Sequence, residues 1–272
     1  MDAASPQDAA SPQGAASPQG TAPPTGSAPQ GAERTQPDRA EGAGTGRIVL
    51  VPGFWLGAWA WDEVAGILRE QGREVVALTL PGLEPDHPAR GEVTLEDHAA
   101  AILDAMGDGP AVLVAHSGAA APATIALDRR PEAVRHAVWV DTCPVVDGHA
   151  MDPGLEGDGL PLEAAWEEEL EGGSMRDLTD EQLAEFRERA VTEPAGAVRD
   201  PAALRDERRL DVPQTLVATA FSGEEYRAYA EQGAGFLRGL DEQRALAVVD
   251  LPTGHWPMWS KPAELAAIIA AR

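Results

Sequence analysis

The chain carries one cysteine, Cys143, so an intrachain disulfide is impossible and no cysteine cluster is available to bind zinc. Basic side chains are scarce too: 21 Lys and Arg stand against 45 Asp and Glu, a formal charge of −24. A surface of that sign repels nucleic acid and anionic membranes and gives no steering to anionic substrates, which leaves neutral or cationic small molecules as the expected partners. Long apolar runs are missing as well. No segment approaches the roughly 20 consecutive apolar residues of a membrane span. The first residues do not pair a basic start with a continuous apolar stretch, as a secretion signal would. A soluble cytoplasmic protein is therefore expected.

Large apolar residues are almost absent from the first 45 or so positions. Ala-Ala-Ser-Pro-Gln occurs from Ala3, from Ala9 and from Ala15, and Pro, Gly, Ser, Thr and Gln continue to about Gly46. Such a segment cannot bury enough surface to offset its ordering entropy, so residues 1–45 read as a disordered tail. The tail holds five acids against Arg34 and Arg39, so −21 of the charge belongs to residues 46–272. That remainder is long enough for one large α/β domain.

From Arg47 onward short apolar runs alternate with helical patterns. Strands are expected at 47–51, 74–78, 111–115, 137–140, 215–218 and 246–249, rich in Val and Leu and several of them closed by Pro or Gly, as buried parallel strands are. Helices are expected at 61–70, 95–106, 118–128 and 263–271. The alternation predicts an α/β fold, a doubly wound, mostly parallel sheet with helices on both faces. Residues 145–210 break the rhythm with two helices, 162–171 and 180–189, and no strong strand. An insertion there, at the carboxyl end of the sheet, predicts a helical cap over a site. Its eighteen acids and seven arginines give it −11, about half of the domain's excess.

Two motifs carry chemistry. Leu113-Val-Ala-His-Ser117-Gly-Ala-Ala-Ala121 is an apolar strand running into small residues, and Ala115-His116-Ser117-Gly118-Ala119 has the form small-x-Ser-x-small. Bulk two residues to either side of a serine on a strained strand-to-helix turn would strike the neighbouring elements, so this is the pattern of a nucleophile elbow. Leu251-Pro-Thr-Gly-His255-Trp-Pro257 places a histidine in a tight loop after the last strand. An imidazole titrating near pH ~6.5 can take a hydroxyl proton and return it to a leaving group. His116, as the x of the elbow, is expected to point away from the serine and shape the pocket edge.

With these motifs in hand, residues 47–272 resemble the α/β-hydrolase superfamily, in its esterase and hydroxynitrile lyase branch. Val49-Leu-Val-Pro-Gly-Phe-Trp55 is similar to the family's first-strand loop, with Pro52 in place of the usual histidine. Ala58-Trp-Ala-Trp61, Val64, Leu68 and Gly72 follow as in that branch. Leu80-Pro81-Gly82 resembles its Leu-Pro-Gly turn, with Thr79 replacing the preceding acid, and Thr253-Gly254-His255 its histidine loop. The resemblance implies an oxyanion hole made by the backbone amides of Phe54 and Gly118, and no metal or organic cofactor. It also implies a triad acid. Most members carry an aspartate after the penultimate strand, where this chain has Thr219-Ala-Phe-Ser-Gly-Glu-Glu225. Others place it one strand earlier, where Asp141 ends Val138-Trp-Val-Asp141. Asp141 is the preferred acid, with Glu224 and Glu225 as alternatives. Trp55, His116 and Trp256 are expected against substrate. The implied activity is serine hydrolysis of an ester or related acyl bond of a small neutral molecule, through Ser117, His255 and Asp141. A hydroxynitrile lyase carries lysine directly after its histidine, where Trp256 stands here. A non-catalytic ligand-binding protein on the same fold and a lyase of the hydroxynitrile lyase type are the alternatives.

Overall fold

The structure, a computed structural model, describes residues 46–272, so the compositional tail of residues 1–45 lies outside the described residues. Six parallel strands form the main sheet: β1 (Ile48–Val51), β2 (Val75–Ala77), β3 (Ala111–His116), β4 (Val134–Val140), β7 (Gln214–Ala218) and β8 (Leu246–Asp250). Their order is β2-β1-β3-β4-β7-β8. All six expected strands are present, shifted by up to three residues at their ends. Between β4 and β7 a two-residue antiparallel ribbon, β5 (Gly159–Leu160) with β6 (Glu193–Pro194), adds strand structure that the sequence pattern did not predict, because two residues are too short for any periodicity.

The sheet divides the core by the two-residue period of a strand. Ile48 and Leu50 of β1, Val112 and Val114 of β3 and Val138 and Val140 of β4 join one cluster, which holds the buried faces of α1 (Asp62–Glu70) and α9 (Pro262–Ala270). The intervening Val49, Val51, Leu113, Ala115, Ala137 and Trp139 join the other, with α2 (Leu95–Met106) and α3 (Ala120–Arg129). Central strands buried on both faces are apolar at nearly every position, which is why β1 and β3 up to Ala115 read as apolar runs.

The helix expected over 162–171 is broken at Ala165. A 3₁₀ turn, Leu162–Ala164, precedes α4 (Trp166–Glu171), because Ala164 and Ala165 donate to carbonyls three residues back. The second insertion helix, α5 (Asp180–Arg189), starts where expected, on a Thr179/Gln182 capping box. Three short or unexpected helices complete the chain: α6 (Ala195–Arg199), α7 (Gly223–Glu231) and α8 (Pro257–Ser260). The signal for α7 was present in Ser222-x-x-Glu225, a capping box in which Ser222 accepts from the Glu225 amide and Glu225 from the Ser222 amide. Among the described residues no helix is long and apolar enough to cross a membrane.

From β1 the chain moves outward to β2 and then returns to β3 on the other side. The carboxyl ends of β1 and β3 therefore flank the point where strand order reverses, the usual crevice for a ligand in an open α/β sheet. The β1 loop, Ser117 and Asp141 all leave the sheet at that edge.

Candidate active site

Ser117 follows β3 directly with φ of +50°, a left-handed value that an L-residue adopts only when its surroundings hold it there. The turn throws its hydroxyl up at the start of α3. Crowding explains the small residues around it. A Cβ added to Gly53 would sit 2.9 Å from Ser117 Cβ and 2.8 Å from His116 Nδ1, and one added to Gly118 would overlap the Phe54 ring. Gly118 is in the first turn of the 3₁₀ segment Ser117–Ala119, so its amide has no acceptor within that helix.

His255 comes from the loop after β8. Its Nε2 lies 2.7 Å from Ser117 Oγ and its Nδ1 2.6 Å from Asp141 Oδ2. An ionised Asp141 accepts only, so Nδ1 carries the proton and Nε2 faces the serine as acceptor. Two further bonds fix the loop. The His255 amide donates to Ser174 O at 2.7 Å, and its carbonyl accepts from His116 Nε2 at 2.7 Å. Burial disfavours charge on the imidazole. The Asp141 hydrogen bond and charge, with the more distant Glu169, outweigh burial and hold it above its ordinary value.

Asp141 ends β4 with φ of +47°. Its Oδ1, the oxygen turned from His255, accepts from three donors: the Tyr226 hydroxyl at 2.9 Å and the Thr219 and Ala220 amides at 3.1 Å each. Burial works against ionisation, but His255 and these donors overcome it and bring the carboxyl down to about 2. The structure brings this acid to His255 and does not bring Glu224 or Glu225 there. Both lie exposed at the start of α7, where Glu225 is used as the helix cap. Asp250, at the end of β8, accepts from the Gly223 amide.

A cavity of about 400 Å³ opens over Ser117, lined by Phe54, Phe221 and, from the β4–β7 insertion, Val145, Met151, Glu169 and Arg176. Arg176 donates to the Thr219 and Ala220 carbonyls at 3.0 and 2.8 Å, bracing the segment whose amides hold Asp141. Trp55, His116 and Trp256, expected against substrate, do not line this cavity. Each is at least 94% buried: Trp55 and Trp256 pack on Phe186, and His116 reaches back to the histidine loop. Sequence spacing placed them beside the site; the large apolar area of the indoles takes them into the core. Burial lowers the His116 pKa to about 3, so its ring is neutral and donates through Nε2. Tyr226, which donates to Asp141, and Glu193, which accepts from the Trp55 amide beside Phe54, had no signal in the motifs. Among the described residues no group of three or more His, Cys, Asp or Glu is placed to hold a metal ion.

Residues 48–268 match the model of the alpha/beta hydrolase family. The chain belongs to that family. Esterase PIR7B of Oryza sativa subsp. japonica is 37% identical over 114 residues, 39% of this chain and 42% of that protein. Methylesterase 7 of Arabidopsis thaliana is 24% identical over 250 residues, 82% of this chain and 94% of that protein. The methylesterase MES16 from Arabidopsis superposes with a TM-score of 0.63 at 18% identity, covering 83% of this chain and 98% of that one, a likeness of fold. The matches to the first curated relatives span 34 to 43% of their length.

Proposed function

We propose that the protein is a serine esterase that hydrolyses an ester or related acyl bond of a small neutral molecule. The observation that carries this reading is the continuous relay Ser117 Oγ to His255 Nε2 at 2.7 Å and His255 Nδ1 to Asp141 Oδ2 at 2.6 Å, opening on the apolar cavity. The esterase names of its relatives support it.

Ser117 Oγ attacks the ester carbonyl carbon as its proton passes to His255 Nε2. The carbonyl oxygen becomes an anion held by the Phe54 and Gly118 amides, each such donor being worth roughly 3–4 kcal/mol of barrier. Collapse breaks the bond to the leaving alkoxide, which takes the proton from His255 and departs as the alcohol. An acyl-enzyme remains on Ser117. Water then gives its proton to His255 and attacks; the second collapse returns the proton to Ser117 and releases the acid. Asp141 keeps its negative charge throughout, orienting the ring and stabilising the imidazolium.

The β4–β7 insertion acts as a cap in this reading, since it supplies Glu169 and Arg176 to the cavity wall and the Ser174 carbonyl that holds His255. A fluorophosphonate probe tests the reading. The wild-type protein should be labelled at Ser117, located by peptide mass, and His255→Ala should slow labelling by orders of magnitude. An unlabelled Ser117, or equal rates, overturns it and favours a ligand-binding protein on this fold.

A further inference from the structure

Trp55 directly follows Phe54, whose amide is one half of the proposed oxyanion hole, and holds φ of +68°. It is the third residue of a turn in which the Leu56 amide approaches Gly53 O at 3.4 Å. A positive φ at that position suits glycine and is disfavoured for tryptophan. Something outside the turn must hold it.

Three hydrogen bonds do so, and all reach Trp55 from the β5–β6 ribbon or its edge. The Trp55 amide donates to Glu193 Oε2 at 3.0 Å, its carbonyl accepts from the Val191 amide at 3.0 Å, and its indole donates to Leu160 O at 2.9 Å. Two of these use backbone or indole groups that any residue at 191 or 160 would supply. Glu193 alone acts through its side chain.

A carboxyl there is costly. Glu193 is 1% exposed, and burial pushes its pKa up to about 8 despite the Trp55 bond. The titratable group facing it is His98, whose Nδ1 lies 3.9 Å from Glu193 Oε1 while its Nε2 donates to Pro81 O at 2.8 Å. Burial also lowers the His98 pKa, so no strong ion pair offsets the desolvation of Glu193. An apolar side chain of the same length would fill the space without that cost. What it could not supply is an acceptor for the Trp55 amide, and that bond fixes the plane of the Phe54–Trp55 peptide.

We infer that Glu193 is a positioning residue for ester hydrolysis: its buried carboxyl clamps the Trp55 amide and so holds the neighbouring Phe54 amide where the oxyanion forms. The inference rests on the Ser117 esterase reading. It makes the insertion part of the machinery, because the oxyanion loop keeps its shape only while the ribbon is docked on it.

The test uses the full chain with E193M, which keeps length and removes the acceptor, and E193Q, which keeps an acceptor and cannot ionise. Each is assayed on p-nitrophenyl acetate and against a trifluoromethyl ketone, which forms a tetrahedral adduct with Ser117, with active enzyme counted by fluorophosphonate titration. E193M should lose about 10- to 100-fold in kcat with KM within about threefold, and should bind the ketone more weakly by a similar factor. E193Q should return to within about threefold of wild type. The inference is overturned if E193M keeps wild-type kcat, if E193Q is as impaired as E193M, or if the loss lies in KM or in the active fraction. Should E193M fail to fold, E193D withdraws the acceptor by one methylene: a kcat loss of about tenfold supports the clamp and an unchanged kcat overturns it. A wild-type protein that neither cleaves the ester nor labels at Ser117 overturns the esterase reading and the clamp together. An active wild type with an unimpaired E193M overturns the clamp alone.

Discussion

The Tyr226 hydroxyl donates to Asp141 Oδ1 at 2.9 Å, while Oδ2 of the same carboxylate meets His255 at 2.6 Å. One phenol on α7 thus sets the angle at which the proposed acid presents itself to the proposed base. Burial raises the Tyr226 pKa, and the Asp141 charge raises it further, so the phenol stays protonated and donates throughout the working range. The Thr219 and Ala220 amides hold the same oxygen, so Y226F leaves two of three donors in place. It should lower kcat about three- to thirtyfold, whereas D141N, which upsets the His255 tautomer, should cost about 10³- to 10⁴-fold. Steady-state rates on a p-nitrophenyl ester measure both; a Y226F enzyme as slow as D141N would mean that Tyr226 does more than orient the acid.

The pH dependence follows from His255. Its pKa is raised above the ordinary 6.5 by Asp141, and only the neutral ring can accept the Ser117 proton, so kcat/KM should rise with pH through an apparent pKa above 6.5. His116, near 3, cannot be the titrating group. In D141N the raising partner is gone and burial remains, so the acidic limb should move to lower pH even as its plateau falls. A wild-type limb at or below 6.5, or a D141N limb moved upward, contradicts this account.

How much of this was legible beforehand depends on the kind of residue. The β1 and β3 strands announce themselves because strands buried on both faces are apolar at nearly every position, and their order places Ser117 at the switch point. His255 is legible because a Pro- and Gly-bounded loop after the last strand leaves one titratable group in reach. Asp141 and Glu225 look alike as acids in a string of letters. They part only in space, one closing on His255 and the other on a helix start. Trp55 and Trp256 mislead for a related reason: adjacency in sequence to a site residue does not say on which side of the backbone a large ring is buried. Tyr226 bonds Asp141 from 85 residues away in the chain and Glu193 bonds Trp55 from 138, and no local pattern encodes such contacts.

Gly53 offers a test of the crowding at the elbow. An added methyl would come within 2.8 Å of His116 Nδ1 and 2.9 Å of Ser117 Cβ, both on a turn with no slack. G53A should cost about 1–3 kcal/mol of stability, read from thermal or denaturant unfolding, and should depress kcat as well, since Ser117 has to move. The equivalent change at Gly109 meets nothing within 4 Å and serves as the control. Equal stability of the two variants would show that the elbow has room.

Charge sets the last expectation. The protein carries −24, and Glu169 lines the cavity, while the Arg176 guanidinium on the same wall is occupied by the Thr219 and Ala220 carbonyls. An ester bearing a carboxylate should therefore be cleaved with a lower kcat/KM than a neutral ester of matched size and leaving group, such as p-nitrophenyl hemisuccinate against p-nitrophenyl butyrate. Long-range repulsion is screened as the Debye length falls from about 30 Å at 0.01 M salt to about 10 Å at 0.1 M, so the gap should narrow over that range. A gap that does not change with salt would place the discrimination in the cavity wall itself, and E169Q would then be the variant that narrows it. Faster cleavage of the anionic ester at low salt would mean that Arg176 leaves its carbonyls to meet the substrate, and would refute an electrostatic preference for neutral esters.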